Sequence, residues 1–329
     1  MTRELRALPR IGRTAGVVCL AIVAARSTAT AQVPSLVDLS AQYTPPGRAN
    51  DPQTTEAQLS SFQLTLNVPV PLSPKRFLIL GGSYHVDTVE YSQMPTGVEE
   101  DRTFHAAELA ALVVQVLPER WILLARASGG IAGGFETVDR RMIRYNALVL
   151  AAKSVSDQLS VGGGVLVTGG YKRFLPLPAI QVNWRPSEEV LVEAFLPAFV
   201  NARYTVGNRF ELGARVELTG ATYAIRDARD RNRWPCTAQP TDDPGTPDDE
   251  TMPRSSACLD HVSYTVGSAG VLAGIRLTST VWLTAFTGVS FYRRFERLNA
   301  DNGSIDGGKQ SLPASGFFRA SVTWRIPRS

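Results

Sequence analysis

Apolar and polar residues alternate along most of this chain. In residues 210–222, Phe210, Leu212, Ala214, Val216 and Leu218 fall on one face, and Glu211, Gly213, Arg215, Glu217 and Thr219 on the other. Residues 61–70 set Phe62, Leu64, Leu66, Val68 and Val70 against Ser61, Gln63, Thr65 and Asn67. Residues 317–326 set Phe318, Ala320, Val322, Trp324 and Ile326 against Phe317, Arg319, Ser321, Thr323 and Arg325. A strand sends successive side chains to opposite sides, so each segment has one apolar and one wet face. The pattern predicts fourteen strands, at 36–44, 58–70, 76–89, 104–117, 120–135, 144–154, 157–171, 177–184, 189–196, 198–206, 209–223, 262–277, 280–294 and 314–326. Twelve and sixteen are the alternatives. Many exceed the five or six residues usual in soluble sheets, and they reach the roughly 9–11 that a tilted strand needs to cross a bilayer.

The connections alternate in length. Tight turns carry breakers, as in Ser73-Pro74-Lys75, Pro118-Glu119, Ser156-Asp157, Arg185-Pro186-Ser187, Gly207-Asn208 and Thr278-Ser279-Thr280. The intervening connections, 45–57, 90–103, 136–143, 224–261 and 295–313, are longer, with short exceptions at 172–176 and 197. The fold class this implies is all-β: an antiparallel transmembrane β-barrel with short periplasmic turns and long extracellular loops. Backbone amides must be paired in hydrocarbon, so 314–326 is expected to close on 36–44. Leu64, Leu66, Leu212, Val216, Val322 and Trp324 are expected to face lipid. Two aromatic girdles are expected, with Trp121, Trp184, Phe210, Trp282 and Trp324 at the tight-turn end and Tyr91, Phe104, Phe135, Tyr145, Tyr171, Tyr223, Tyr264 and Phe291 toward the other. Gly129-Gly130 and Gly162-Gly163-Gly164 suit bends or crowded lumen positions; neither is followed by the Lys-Ser/Thr of a phosphate loop.

Composition supports this class. The 329 residues are 44% hydrophobic and 19% charged, and mean hydropathy is −0.05, which excludes a bundle of apolar transmembrane helices. Residues 1–31 read as a secretory signal: Arg3, Arg6, Arg10 and Arg13, the apolar run 15–25, and Ala29-Thr30-Ala31 before Gln32. Cleavage is expected between Ala31 and Gln32, leaving residues 32–329 as the barrel domain. Cys19 lies inside the apolar run, not at a lipidation site. The signal carries five Arg and one Glu, so its removal takes away the whole +4 charge of the chain. A nucleic-acid partner then loses its electrostatic basis. The remaining cysteines, Cys236 and Cys258, lie in the polar stretch 224–261, and an oxidising compartment favours a disulfide between them. Such a bridge stabilises by about 3 kcal/mol in the chain-entropy picture.

One stretch carries a resemblance. Arg173-Phe174-Leu175-Pro176-Leu177-Pro178-Ala179-Ile180, then Val182-Asn183-Trp184-Arg185-Pro186-Ser187, then Leu191-Val192-Glu193-Ala194-Phe195-Leu196-Pro197, resembles the centre of an uncharacterised bacterial family of outer-membrane barrels, a domain-of-unknown-function family. The resemblance implies an outer-membrane barrel and brings no catalytic or ligand residues. The C-terminus departs from many outer-membrane proteins, since Arg325-Ile326-Pro327-Arg328-Ser329 follow Trp324.

Candidate chemistry lies on the wet faces. Arg126, Arg215, Glu217, Arg319 and Arg325 sit opposite the apolar faces of their strands and are expected to line a lumen. Charged rings select solutes in pores; equally, Arg–carboxylate pairs can brace and fill a barrel. The five residues sum to +3, which favours anions, with Glu108, Glu193 and Glu211 as acids able to offset it. Arg outnumbers Lys 30 to 4, which suits bidentate pairing. The acidic run Asp242–Glu250 and the stretch Asp301–Gly308 lack EF-hand spacing and read as solvated loop tips. His85 and His105, with Ser83 and Asp87 nearby, are the thin basis for an outer-membrane hydrolase. The favoured function is a narrow channel for small solutes, with no cofactor, no metal and no catalytic residues. The alternatives are a closed structural or surface-interaction barrel, or the hydrolase. Expected partners are outer-membrane lipids, a small solute and the barrel-assembly machinery.

Overall fold

The computed structural model describes residues 35–47, 56–93, 102–135, 138–170, 173–225, 259–299 and 303–325. The predicted signal and its cleavage site at Ala31 and Gln32, Cys236 and Cys258, and the acidic run 242–250 lie outside the described residues. Within them the strands are β1 (Val37–Thr44), β2 (Glu56–Ser73), β3 (Arg76–Gln93), β4 (Arg102–Val116), β5 (Trp121–Gly133), β6 (Ile143–Ser154), β7 (Leu159–Gly170), β8 (Arg173–Trp184), β9 (Val190–Leu196), β10 (Phe199–Val206), β11 (Phe210–Ala224), β12 (His261–Arg276), β13 (Val281–Leu298), β14 (Ser304–Leu312) and β15 (Ser315–Trp324). Each of β2 to β13 pairs antiparallel with its predecessor. β15 pairs with β13 and with β1, where Val37 meets Trp324. Fourteen strands thus form a closed wall with no free end, which satisfies the amides that lipid cannot. No described helix is long and apolar enough to cross a membrane.

β14 is the fifteenth strand and lies outside that wall. It pairs only with the outer end of β13, Arg293 to Leu298. The sequence reading took 295–313 as a loop, because Gly307, Gly308 and Lys309 break any alternation. Backbone pairing forms this hairpin, with Lys309 3.5 Å from Glu296 and Leu312 buried beside Phe295. The stretch 136–143, also read as a loop, contains a one-turn 3-10 helix at Arg140–Met142, capped by the Asp139 carboxylate accepting from the Arg141 N–H at 2.7 Å.

A line followed from register partner to register partner climbs by about 16 residues before returning to its strand, which corresponds to a strand tilt of about 40°. Alternation then fixes the two faces. Leu66, Leu212, Val216, Val322 and Trp324 are exposed on the outside, and Leu64 shares that face on β2. Glu193, Asn201, Glu211 and Glu217 are buried on the inside. Trp121, Trp184, Phe210 and Trp324 form the expected outer belt near the tight turns. Trp282 does not join it. It pairs with Arg276 and Thr323 on the inward face, is buried, and lies 4.9 Å from the Arg325 guanidinium. Phe104, Tyr223 and Tyr264 also leave the expected girdle and turn inward.

The wall is uneven. β2, β3 and β13 each run 18 residues, well beyond what a crossing needs, whereas β9 has 7 and β10 has 8. On the far side the tall strands lean together. Ala224 of β11 forms a parallel bridge with Gly133 of β5, which sequence order places six strands away.

Candidate functional site: the lumen

The inward face carries three polar groups, and register explains each. The first lies on β9, β10, β11 and β15. Asn201 is the partner of both Glu193 and Arg215, so alternation on three adjacent strands stacks charge toward the lumen. Arg203 donates to Glu193, and its other terminal nitrogen lies 3.6 Å from Glu211. Arg325 donates to Glu211 at 3.2 Å. Arg215 Nε lies 2.8 Å from Glu217, and Arg319 reaches Glu217 at 2.5 Å while donating to Gln42. The Arg319 and Arg325 contacts run from β15 to β11, past β12 and β13, so they cut across a chord of the barrel. Three of these guanidiniums also lie over rings: Arg215 over Phe199 at 4.8 Å, Arg319 over Phe286 at 5.4 Å, and Arg325 over Trp282.

The second group is smaller. Arg126 on β5 donates to Glu108 on β4 at 2.8 Å, and Asn146 on β6 donates to the other Glu108 oxygen at 3.1 Å. The apolar residues on both faces of β4 left Glu108 ambiguous from sequence; its pairing with Ser83 and Gly130 sets it inward.

The third group crosses the lumen between β2, β3, β11 and β12. Asp87 on β3 is fully buried and accepts from Ser61 at 2.5 Å, from Tyr223 at 2.5 Å and from Tyr264 at 2.8 Å, with His85 Nε2 at 2.7 Å. Tyr223 stacks on Phe104 at 4.8 Å, and both join an apolar cluster with Leu59, Val89, Ala132 and Phe295. Above this, Arg141 of the 3-10 turn pairs with Asp260 at 2.7 Å, and Arg144 Nε donates to the Thr222 carbonyl at 2.9 Å. One buried carboxylate with four partners from β2, β3, β11 and β12 is a cross-brace, and a fully bonded one holds its geometry.

The five residues singled out from sequence all lie on the inward face; Arg215, Glu217 and Arg319 share one ion-paired group, and Arg325 belongs to the neighbouring Glu211–Arg203–Glu193 group. Arg126 stands apart with Glu108. Arg203, Asn201 and Gln42 were missed; Asp87 was read only beside the histidines, and Tyr223 and Tyr264 only as girdle aromatics. Parity held the signal for some: Tyr223 shares the odd-numbered face of β11 with Glu217, and Arg203 alternates with Ala202 and Tyr204. Of the hydrolase candidates, His85 and Asp87 bond at 2.7 Å on the inward face of β3, which Ser83 shares, whereas His105 faces outward, bonded to the Tyr84 hydroxyl at 2.7 Å. Among the described residues no cluster of His, Cys, Asp and Glu is arranged to hold a metal.

Closed register, an apolar exterior and a polar interior define the class: a β-barrel of the transmembrane type. The chain belongs to the family described as Domain of unknown function (DUF6268), whose model matches residues 27–240. Three solved structures illustrate what it is similar to. The COG4313 outer membrane channel from Pseudomonas putida F1 is 11% identical with a TM-score of 0.42, over 89% of this chain and 96% of that one. The translocator domain of the autotransporter NalP from Neisseria meningitidis is 10% identical with a TM-score of 0.33, over 90% of each chain. LpxR from Salmonella typhimurium is 9% identical with a TM-score of 0.33, over 88% of this chain and 99% of that one. No curated protein matches the sequence. The fold stands on the register itself.

Proposed function

We propose that the protein is an outer-membrane channel for small solutes, with a constricted, charge-lined lumen. The observation that carries this reading is the exposure of the inward arginines. Arg126, Arg215, Arg319 and Arg325 keep between 24% and 40% of their side-chain surface accessible although they point into the barrel. An ion that is paired yet still wet indicates water beside it, because a dry lumen would desolvate these groups. Arg126, Arg203, Arg215, Arg319 and Arg325 are matched by Glu108, Glu193, Glu211 and Glu217, so the fixed charge supports only a small preference for anions. The Asp87–Tyr223–Tyr264 brace lies across the path, joining β3 to β11 and β12.

That same brace favours a second reading, a closed barrel that acts through its surface. Planar-bilayer recording separates the two. The channel reading expects discrete current steps from the wild-type protein and larger ones from Tyr223→Ala. Silence from both sinks it and leaves the closed barrel.

A further inference from the structure

The short hairpin β9–β10 leaves a notch in the wall. β8 pairs with β9 only from Ile180 to Trp184, so Phe174–Ala179 has no strand on that side among the described residues. β11 pairs with β10 only as far as Glu217, and the Leu218 N–H makes the last bond, to the Ala198 carbonyl. Above the hairpin, β8 and β11 each continue for about seven residues, about 17 Å of rise once tilt is counted. No described strand stands between them there, and the upper end of β11 turns toward β5 and β6, where Ala224 bridges Gly133 and the Thr222 carbonyl accepts from Arg144.

The sequence is adapted to this open edge. The Arg185 N–H bonds back to the Gln158 carbonyl, so odd-numbered residues of β8 bond to β7 and even-numbered ones turn their amides the other way. Pro176 and Pro178 are even. At two successive turns of the pleat the donor that would face the notch is missing, which reduces the unpaired amide groups the edge presents. Phe174, 67% exposed, and Ile180 face outward on the same edge, so the notch opens at the level of the apolar belt.

The inner wall behind the notch is apolar, as it is at Ile79, Val114 and Ile122 and at Leu272, Phe286 and Phe317, but here part of it is left uncovered. Leu148, Leu166 and Leu177 are register partners on the inward face, followed by Leu175, Phe195 and Phe199. Leu175 is 38% exposed although it points inward. Across from them are Thr219 and the Arg215–Glu217 pair. Leu148, Leu166 and Phe195 pack on the buried Leu150 and Ala179, and the uncovered Leu175 extends that surface toward the notch, where a hydrocarbon chain would cover it.

We propose that the gap between β8 and β11 above the β9–β10 hairpin is a lateral opening, and that the apolar inner wall takes a hydrocarbon chain from the membrane. The inference rests on the membrane-spanning reading above and makes the lumen accessible from the side as well as from its ends. A chain lying along Leu166, Leu177 and Phe195 would keep its polar end near Arg215.

Photo-crosslinking tests this. The full chain carrying p-benzoylphenylalanine at Leu175 or Leu177 is reconstituted in phosphatidylcholine vesicles, irradiated and weighed intact. Position 212 faces lipid and serves as the positive control; position 63 faces inward on the polar side and serves as the negative one. The proposal expects lipid adducts at 175 and 177 of the same order as at 212, none above background at 63, and loss of the 177 adduct when Thr219→Trp fills the notch. Heat-modifiable migration of each variant verifies folding, and position 175, already exposed, keeps the test available if 177 misfolds. Vesicles doped with palmitic acid tell the sources apart: a palmitate mass on the protein marks a free amphiphile, a phospholipid mass a lipid-borne chain. No adduct at either inward position in a folded barrel overturns the opening. A protein that captures chains yet carries no current keeps the opening and loses the channel reading; one that conducts and captures nothing does the reverse.

Discussion

Glu217 is the residue on which the charged network turns. It is 3% exposed and meets both Arg215 and Arg319. Glu217→Gln leaves two guanidiniums without their carboxylate. Because both stay partly wet, the expected cost is about 1–3 kcal/mol and not the larger penalty of a dry buried charge. Urea unfolding in detergent measures it. The same variant should move the reversal potential toward anions, and an unmoved potential would mean that ions do not pass this point. Tyr223→Phe removes one of four partners of Asp87 and should cost about 0.5–1.5 kcal/mol, whereas Asp87→Ala strands several donors at once and should cost more. Parity alone placed Arg215, Glu217, Arg319 and Arg325 on the wet face. It could not place Asp87 against Tyr223 and Tyr264, which lie 136 and 177 residues away in sequence, because alternation tells which side a residue faces and not what stands across the barrel.

Strands are legible because each has a strict period of two and one face that must be apolar. All fourteen wall strands coincide with segments read from that pattern. What the pattern could not give was extent. β8 starts at Arg173 and not near 177, since Pro176 in 172–176 reads as a break until its edge is known to be open. β14 has no alternation at all. Two expectations test the wall. Val216→Arg on the lipid face of β11 should destabilise by about 2–4 kcal/mol if it lies near the bilayer midplane. Neighbouring glycines on β7 should respond oppositely to a methyl group. A Cβ at Gly163 has nothing within 4 Å, while one at Gly164 would lie 2.0 Å from the Val149 carbonyl oxygen. Gly163→Ala should therefore unfold like the wild type, and Gly164→Ala should lose about 1–3 kcal/mol. Equal behaviour of the two would contradict the packing of β7 against β6.

At the scale of the whole molecule, the barrel is tall and braced on the side of β2, β3, β12 and β13, and low at β9 and β10. The braced side carries the Asp87 cluster and the chords to Glu211 and Glu217. The low side carries the apolar inner wall. This asymmetry was not legible in advance, although the short pair around Pro197 was visible, because its meaning depends on the height of strands far away in sequence. The most direct measurement is single-channel current from the purified, refolded protein in a planar bilayer, wild type beside Tyr223→Ala and Glu217→Gln. The account predicts small discrete steps from the wild type, larger steps when the tyrosine brace is removed, and a shift toward anions when Glu217 is neutralised. A protein that inserts into the bilayer yet gives no current in any of the three forms would contradict it.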